Sequence, residues 1–536
     1  TYRTPHVDET DTNHVFEHAV IASSEKYPSK NIFFDMAGKT YNTFINAFTY
    51  IPFTSYPVSS QSQEQLEKMA DVYLSCMVAP GLLEDERFFQ REAVRYELRD
   101  LNDPITIKGT VYSEDFGMIT ETGNEAFRNV LQALYPGETA ANVNGRAHMN
   151  YQGLTYEHTV ETYDRCYSFD NSLILLYGDM DYEKFLEFLD KEYLAEAEKG
   201  NKDLSQYKDG KTEPGYVEET VYSPAYEGDS TENASIIYYA ADLSEDSWEQ
   251  LCQYQIIGQI LSSDSSILNE NLREAGISDP AFAEMVFDVE KPMFVFGLVN
   301  TDEDKAQTFK EVVDKTITEI SQSGIDEELV DTILKTKEID DYTAMENTEV
   351  FTDQVLPMVS TKWAVEGTTD FLEDSQNAFQ NMKEDKDQAL IKEFGERFLN
   401  AERKAMITTV PKPGLAEEIE KEQEDYLADM KASMTEEELQ QMIEDTLAFD
   451  QWNASEMANS DFTIDVKDLP DPEPFAEFEV KDLNGITSYT SASDLDKISS
   501  NQIYLDTSSV KQEDLHYITL YTLLASELGT EKYEKA

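Results

Sequence analysis

In the pentapeptide His14-Val15-Phe16-Glu17-His18, two imidazoles stand four residues apart and a carboxylate precedes the second by one. On a helix, positions i and i+4 lie one above the other, so His14 and His18 present their rings to one point with Glu17 on the same side. Two neutral imidazoles and a nearby carboxylate form the core of a catalytic zinc site. The metal takes two His nitrogens and a more distant carboxylate and keeps its fourth position for water. The chain has only 6 histidines in 536 residues, and chance occurrence of the pattern is on the order of one in a hundred. The plain alternative is a solvated helix whose His and Glu side chains make ordinary i,i+4 contacts. Thr10, Asp11, Thr12 and Asn13 precede the motif, and all four suit the start of a helix.

The elements that must hold these residues belong to a chain too long for one compact domain; its length suggests three or four. Hydrophobic residues make up 40% and aromatics 11%, enough for packed cores rather than disorder. Against 42 basic residues stand 108 acidic ones, a net charge of −66. That balance argues against nucleic acid, whose phosphates need a basic surface. It fits a soluble protein in a salty or extracellular setting, with a bacterial, secreted or surface location favoured, or one that draws in basic peptides. Cys76, Cys166 and Cys252 are widely spaced and support neither a disulfide framework nor a cysteine zinc site. Cys76 continues the apolar positions Leu66, Met69, Val72 and Tyr73 and reads as a core thiol. No stretch approaches the roughly 20 apolar residues of a membrane span. His6, His148, His158 and His516 lack ligand-like spacing and read as surface or loop residues.

An α+β organisation emerges from the hydrophobic pattern. A first module over 1–205 opens with a strand-like Thr1–Pro5 and the motif helix. Strands follow at Thr43–Thr49 and Thr54–Val58, then a helix over about 63–78 and acidic, aromatic helical stretches through 84–100. A buried-strand run at Ser172–Tyr177 and an amphipathic helix carrying Phe185, Phe188 and Leu189 close it. Residues 198–215 read as a polar linker. A second module over 215–412 repeats the plan: a strand at Ile236–Ala240, a helix over 245–262, a strand at Met293–Val299, a helix with Phe309, Val312, Val313, Ile317 and Ile320, and a strand at Lys404–Val410. Where the first module has its histidines, the second has Trp248-Glu249-Gln250-Leu251-Cys252-Gln253, so only one copy is equipped for metal. Residues 413–465 have helical periodicity (Leu439, Met442, Ile443, Leu447) and read as a helical hairpin linker. After Pro470, Pro472 and Pro474, a third module starts at about 466–480 with Phe475–Val480 and has a helix at about 512–527.

The order His-x-x-Glu-His is that of the inverted zincins. Together with Glu25-Lys26-Tyr27-Pro28, Thr43-Phe44-Ile45-Asn46-Ala47-Phe48-Thr49, Ser55-Tyr56-Pro57, Val72-Tyr73-Leu74, Phe89-Gln90-Arg91-Glu92 and Ile107-Lys108-Gly109, it makes the chain resemble the pitrilysin/insulinase metallopeptidases, in their presequence-protease branch. The match is dense over about 1–120. The resemblance implies repeated α/β-sandwich-type domains joined by a helical hairpin, two halves enclosing a peptide-sized chamber, and one zinc ion per chain. This chain then corresponds to the catalytic half without its first strands, together with the hairpin and the start of the third domain. The implied partner is the missing C-terminal half of the same protein.

In that family the third ligand is a glutamate shortly after the Lys-Gly pair, which the resemblance carries to Glu114 within Val111-Tyr112-Ser113-Glu114-Asp115-Phe116-Gly117. The positions around it depart from the family's Asn-Glu-Met-Lys-Gly: Ser113, Asp115 and Phe116 stand for Asn, Met and Lys. Glu92 and Glu97, both read as helical, are the rival third ligands. Glu17 is too close to His18 to coordinate from the same turn and is placed to move a proton from water to the leaving amine. Asn46, Ala47, Phe48 and Thr49 resemble the family's substrate-binding edge strand, on which an extended peptide pairs by backbone hydrogen bonds. The implied function is zinc endopeptidase cleavage of unstructured oligopeptides. A non-catalytic peptide-binding or assembly subunit is the alternative.

Overall fold

The helix α1 (Thr12–Val20) forms because Val15, Phe16, Ala19 and Val20 repeat on one face, and all four are fully buried. Its N-cap is Asp11, held in the left-handed region at φ 65°, a conformation that Asp tolerates better than most side chains. These facts come from a computed structural model that describes residues 1–195, 197, 200, 214–344, 351–455, 462–469, 477–492 and 498–525. The polar linker expected over 198–215 and the Pro470–Pro474 break lie almost wholly outside them.

Around α1 the strands are short. A three-stranded antiparallel sheet has the order β1 (Tyr2–Arg3), β4 (Phe53–Ser55), β3 (Phe48–Thr49), with β3 on its edge. β2 (Phe44–Ile45) pairs with β5 (Val58–Ser59), so the expected strand Thr43–Thr49 is interrupted at Asn46-Ala47. The helix Gln63–Val78 has its expected bounds, capped by the Ser62 hydroxyl, and it buries Met69, Val72, Tyr73 and Cys76. The strand expected at Ser172–Tyr177 does not form. Its pairing is limited to a bridge from Ser172 to Tyr2 and reciprocal backbone bonds between Leu173 and Thr1. Residues 173–177 instead line a cavity of about 780 Å³ with Tyr56, Tyr73 and Phe185.

The stretch through 84–100 is helical only in α2 (Arg87–Glu92); it then turns into β6 (Arg95–Glu97), antiparallel to β7 (Thr106–Lys108). α3 (Thr110–Gly117) follows directly after Gly109. A side-chain carbon at Gly109 would lie 1.9 Å from the Ala93 carbonyl oxygen, so only glycine lets α2 and the start of α3 come this close.

A five-stranded sheet fills 215–413 in the order β10 (Ala281–Val286), β11 (Met293–Thr301), β9 (Ser235–Asp242), β12 (Arg403–Pro413), β8 (Gly215–Ala225). Only the β12–β8 pair is parallel. The helices Trp248–Ser262 and Ala306–Ser323 bury Ile256, Ile257, Ile260, Phe309, Val313 and Ile317 in the same core as the inner face of this sheet. Arg403 Nη2 donates to Glu138 Oε1 at 2.7 Å, both buried, and Lys291 pairs with the other oxygen of Glu138. That ion cluster ties the five-stranded sheet to the residues following the helix Thr122–Leu134.

α4 (Leu415–Ser433) and α5 (Glu436–Ala454) form an antiparallel-type hairpin about Met434-Thr435, with a capping box at Thr435 and Glu438. The hairpin packs on the module that carries the histidines: Tyr426, Met430, Leu439, Met442, Ile443 and Trp452 join its core. Trp452 meets Phe88 edge-on, and Thr446 Oγ1 accepts from the Leu98 N–H. All of this lies in one compact unit, 1–337 with 344–470. A second unit gathers 338–343 and 471–536. Its described part contains the hairpin β13 (Glu479–Leu483) and β14 (Ile486–Thr490) about Asn484-Gly485, both at positive φ, and a helix Leu515–Ala525.

Candidate active site

On α1 the residues that do not enter the core are His14 and His18, whose rings meet edge to face with centroids 4.9 Å apart. Glu114, on α3, brings Oε2 to 3.9 Å from His14 Nε2 and 3.7 Å from His18 Nε2. The edge between two ligands of a tetrahedral zinc is about 3.3 Å. The Glu114 oxygen is thus a few tenths of an ångström too far from each imidazole nitrogen for a tetrahedral zinc, and all three donors lie within 4.8 Å of one another. They leave one side open, since Glu114 is about half exposed.

The other ring nitrogens face carboxylates. His14 Nδ1 lies 3.3 Å from Asp11 Oδ2, and His18 Nδ1 lies 3.6 Å from Glu92 Oε2. A carboxylate on Nδ1 fixes the tautomer that leaves Nε2 free as a metal donor. Glu92 is thus behind the site, supporting His18, and Arg91 Nε also donates to it. Burial raises the Glu92 carboxyl, but His18 and Arg91 outweigh it and hold it at about 2. Glu97 is remote from both imidazoles. On β6 rather than on a helix, it is buried and takes Arg95 Nε at 2.8 Å and Arg99 Nη2 at 3.0 Å.

Glu17 is only 5% exposed, and its Oε2 accepts from Thr49 Oγ1 at 2.7 Å. Burial pushes its carboxyl above the usual range, against the pull of both histidines and of Thr49. For His14, burial opposes protonation, yet the Asp11 carboxylate wins and holds the metal-free imidazole up at about 10. His18 is raised in the same way, with burial opposing and Glu92 the strongest support.

Three parts of this arrangement are not visible from spacing. Asp115, beside Glu114, is buried against Asp11 and shares a side-chain hydrogen bond with it; Oδ2 of Asp115 accepts from Ala147 N–H and Oδ2 of Asp11 from Gly145 N–H. Burial and the neighbouring Asp11 carboxylate raise Asp115, and Asp11 stays low through its contact with His14. The i,i+3 spacing from Asp11 to His14 is the one local signal that points to a support for the histidine. Asn144, from a distant loop, reaches the Thr49 carbonyl at 2.6 Å. His6 and His148 are buried, not surface residues; burial pushes both imidazoles down, against the pull of Asp11, and with Arg146 adding to it at His148, which falls to about 4. The peptide-edge candidates lie side by side: Phe48 and Thr49 form β3, and Asn46 and Ala47 lead into it. Phe44 and Phe48 are half-buried, with ring centroids 6.4 Å apart, rather than packed in the core.

The α+β fold thus sets a His, His, Glu cluster beside a buried glutamate. Three family models match in sequence along the chain. They are "Insulinase (Peptidase family M16)" over 7–116, "Peptidase M16 inactive domain" over 153–337, and a peptidase-associated domain of the same family over 410–536. In these three segments the chain is similar to the insulinase (M16) family of peptidases. It is 27% identical to presequence protease 1, chloroplastic/mitochondrial, of Arabidopsis thaliana, over 99% of this chain and 50% of that one. To protein HypA of Clostridium perfringens it is 25% identical, over 99% of this chain and 55% of that one. The chain thus spans about half the length of these relatives. Among solved structures, a protease from Helicobacter pylori shares the fold at a TM-score of 0.60 and 14% identity, covering 76% of this chain and 92% of that one.

Proposed function

We propose that this chain carries the catalytic half of a zinc endopeptidase that hydrolyses unstructured oligopeptides, basic ones among them. The observation that supports it most directly is the convergence of His14 Nε2, His18 Nε2 and Glu114 Oε2, with the buried Glu17 on the same helix as the histidines. A zinc ion held by these three donors would supply a Lewis acid for the scissile carbonyl and would lower the pKa of an attacking water. Glu17, buried beside both histidines and held by Thr49, is placed to accept a proton from an attacking water and to return it to the leaving amine. Thr49 keeps Glu17 pointed into the site, Asp11 and Glu92 orient the imidazoles, and the open edge of β3 binds the peptide backbone. The chain organisation we propose is a metal-bearing module over 1–205, a metal-free one over 215–412, the hairpin over 413–465 and the beginning of a third over 466–536. A C-terminal half of the same protein is the natural partner, because the relatives run to about twice this length.

The test is cleavage of a quenched, basic, unstructured peptide of about 15–25 residues, with zinc measured on the same sample and Glu17→Gln alongside. Cleavage lost in the variant, with about one zinc per chain in both proteins, is the expected result. Zinc without cleavage in either protein favours the second reading, a peptide-binding subunit or a half that needs its partner. No zinc in either ends the site assignment.

A further inference from the structure

The open edge of β3 is covered by two side-chain amides. Strand alternation turns the backbone groups of Asn46, Phe48 and Tyr50 towards the paired strand: Asn46 N–H donates to Pro57 C=O at 3.2 Å, Tyr50 N–H to Phe53 C=O at 2.8 Å, and Phe48 faces Ser55 between them. The N–H and C=O of Ala47 and Thr49 consequently point away from the sheet, where an added strand would pair. Two of these four groups are engaged. Asn46 Oδ1 accepts from Ala47 N–H at 2.9 Å, and Asn144 Nδ2 donates to Thr49 C=O at 2.6 Å.

Asn144 stands on a loop anchored on both sides of it. Asn142 Nδ2 donates to His6 C=O at 2.9 Å, and Gly145 N–H donates to Asp11 Oδ2 at 3.0 Å. Its backbone is fixed, while its side chain has only two rotatable bonds and ends on the strand edge. A carboxamide N–H placed on a strand carbonyl mimics the N–H of a neighbouring strand. An edge without such cover pairs with any chain that reaches it.

We propose that Asn144 is a displaceable guard of the peptide edge, a positioning residue that an extended peptide backbone replaces with its own N–H. The proposal rests on the reading of β3 as the peptide-binding edge. An extended peptide offers an N–H to Thr49 together with partners for the remaining edge groups, and so repays the displacement; a lone donor or a folded surface does not. The guard therefore selects peptides with free, extended backbone, whatever their side chains.

The experiment measures binding of a fluorescein-labelled, basic, unstructured 20-residue peptide by anisotropy. It uses zinc-loaded full chain carrying Glu17→Gln, so that the peptide survives, with and without Asn144→Ala. Removing the guard deletes one net intramolecular hydrogen bond from the free state, so the peptide should bind about fivefold tighter. Zinc content and Tm should not change. Peptides N-methylated at every second residue, in the two alternate phases, separate backbone pairing from other contacts: at least one phase should lose the gain. Asn144→Leu, of similar length without a donor, repeats the test if the alanine variant is unstable. Affinity that stays the same or weakens in a variant with intact zinc content and Tm overturns the guard and leaves the peptide edge standing. Absence of peptide binding with and without Asn144 overturns the peptide edge itself, and the guard with it.

Discussion

The choice between Glu114 and Glu92 as the third donor can be decided by replacing each with glutamine. Glu114 Oε2 faces the Nε2 atoms of both histidines at 3.7–3.9 Å, whereas Glu92 Oε2 faces only Nδ1 of His18, on the far side of the ring, at 3.6 Å. Removing a direct carboxylate donor leaves two protein ligands. If a four-donor site is worth about 10–16 kcal/mol, loss of one charged donor costs about 4 kcal/mol, roughly a thousandfold in zinc affinity. Removing a carboxylate behind a ligating histidine costs about 10–100-fold. The glutamine at position 92 also gives up half of a buried pair with Arg91, so Tm must be read on the metal-free proteins to separate folding from binding. The assay is competition for zinc against a chromogenic chelator at pH 7.5. Glu114→Gln should lose at least ten times more affinity than Glu92→Gln, and Glu97→Gln, whose carboxylate is committed to Arg95 and Arg99, should stay within about threefold of the parent. A larger loss in Glu92→Gln than in Glu114→Gln refutes the geometric assignment.

Four other outcomes follow from the same geometry. Thr49→Val deletes the hydroxyl that donates to Glu17; with a charged hydrogen bond worth about 1.5–3 kcal/mol, kcat should fall about 10–100-fold while zinc content holds, and Thr49→Ser should recover most of it. Zinc affinity should climb by at least tenfold per pH unit from pH 6 to 9, because binding must displace the proton that Asp11 holds on His14 up to about pH 10. The same raised value stabilises the metal-free fold fully below the ordinary histidine value of 6.5, and that contribution disappears as pH rises through about 10, a trend that denaturant titrations of chelator-treated protein will follow. Gly109→Ala drives a methyl group into the Ala93 carbonyl and must displace the start of α3, so its zinc affinity should drop at least as far as that of a supporting-residue variant; unchanged affinity would show that α3 tolerates the shift.

What is legible in the sequence is local. The His14–His18 pair, the amphipathic face beneath it and the helix Gln63–Val78 all follow from periodicity and capping within a few residues. Glu97 reads as helical because acidic and aromatic residues through 84–100 suit a helix; only the pairing of Arg95–Glu97 with Thr106–Lys108 makes that stretch a strand. Ser172–Tyr177 has the apolar composition of a buried strand, but a strand needs a partner of matching length, and composition carries no information about that. The roles of Asp115 and Asn144 arise from contacts across more than thirty and more than ninety positions, with Ala147 and Thr49, and no spacing rule reaches so far. Glu114 comes from the resemblance to a family, not from its own surroundings in the chain, where three neighbours break the family pattern.

The two histidines share nine residues of α1, while Glu114 arrives roughly a hundred residues later, so a metal bound by all three is a cross-link that closes a long loop. Such a staple would stabilise the folded chain as well as complete the metal site, because the ion binds the assembled donors and not the unfolded chain. It would make local opening anywhere between residues 18 and 114, including the proposed peptide edge and Gly109, costlier while the ion is bound. Chelation should therefore do more than switch chemistry off. Backbone amides in that interval, Ala47 and Thr49 among them, should exchange with solvent faster in metal-free protein, and proteases should find their first cuts there.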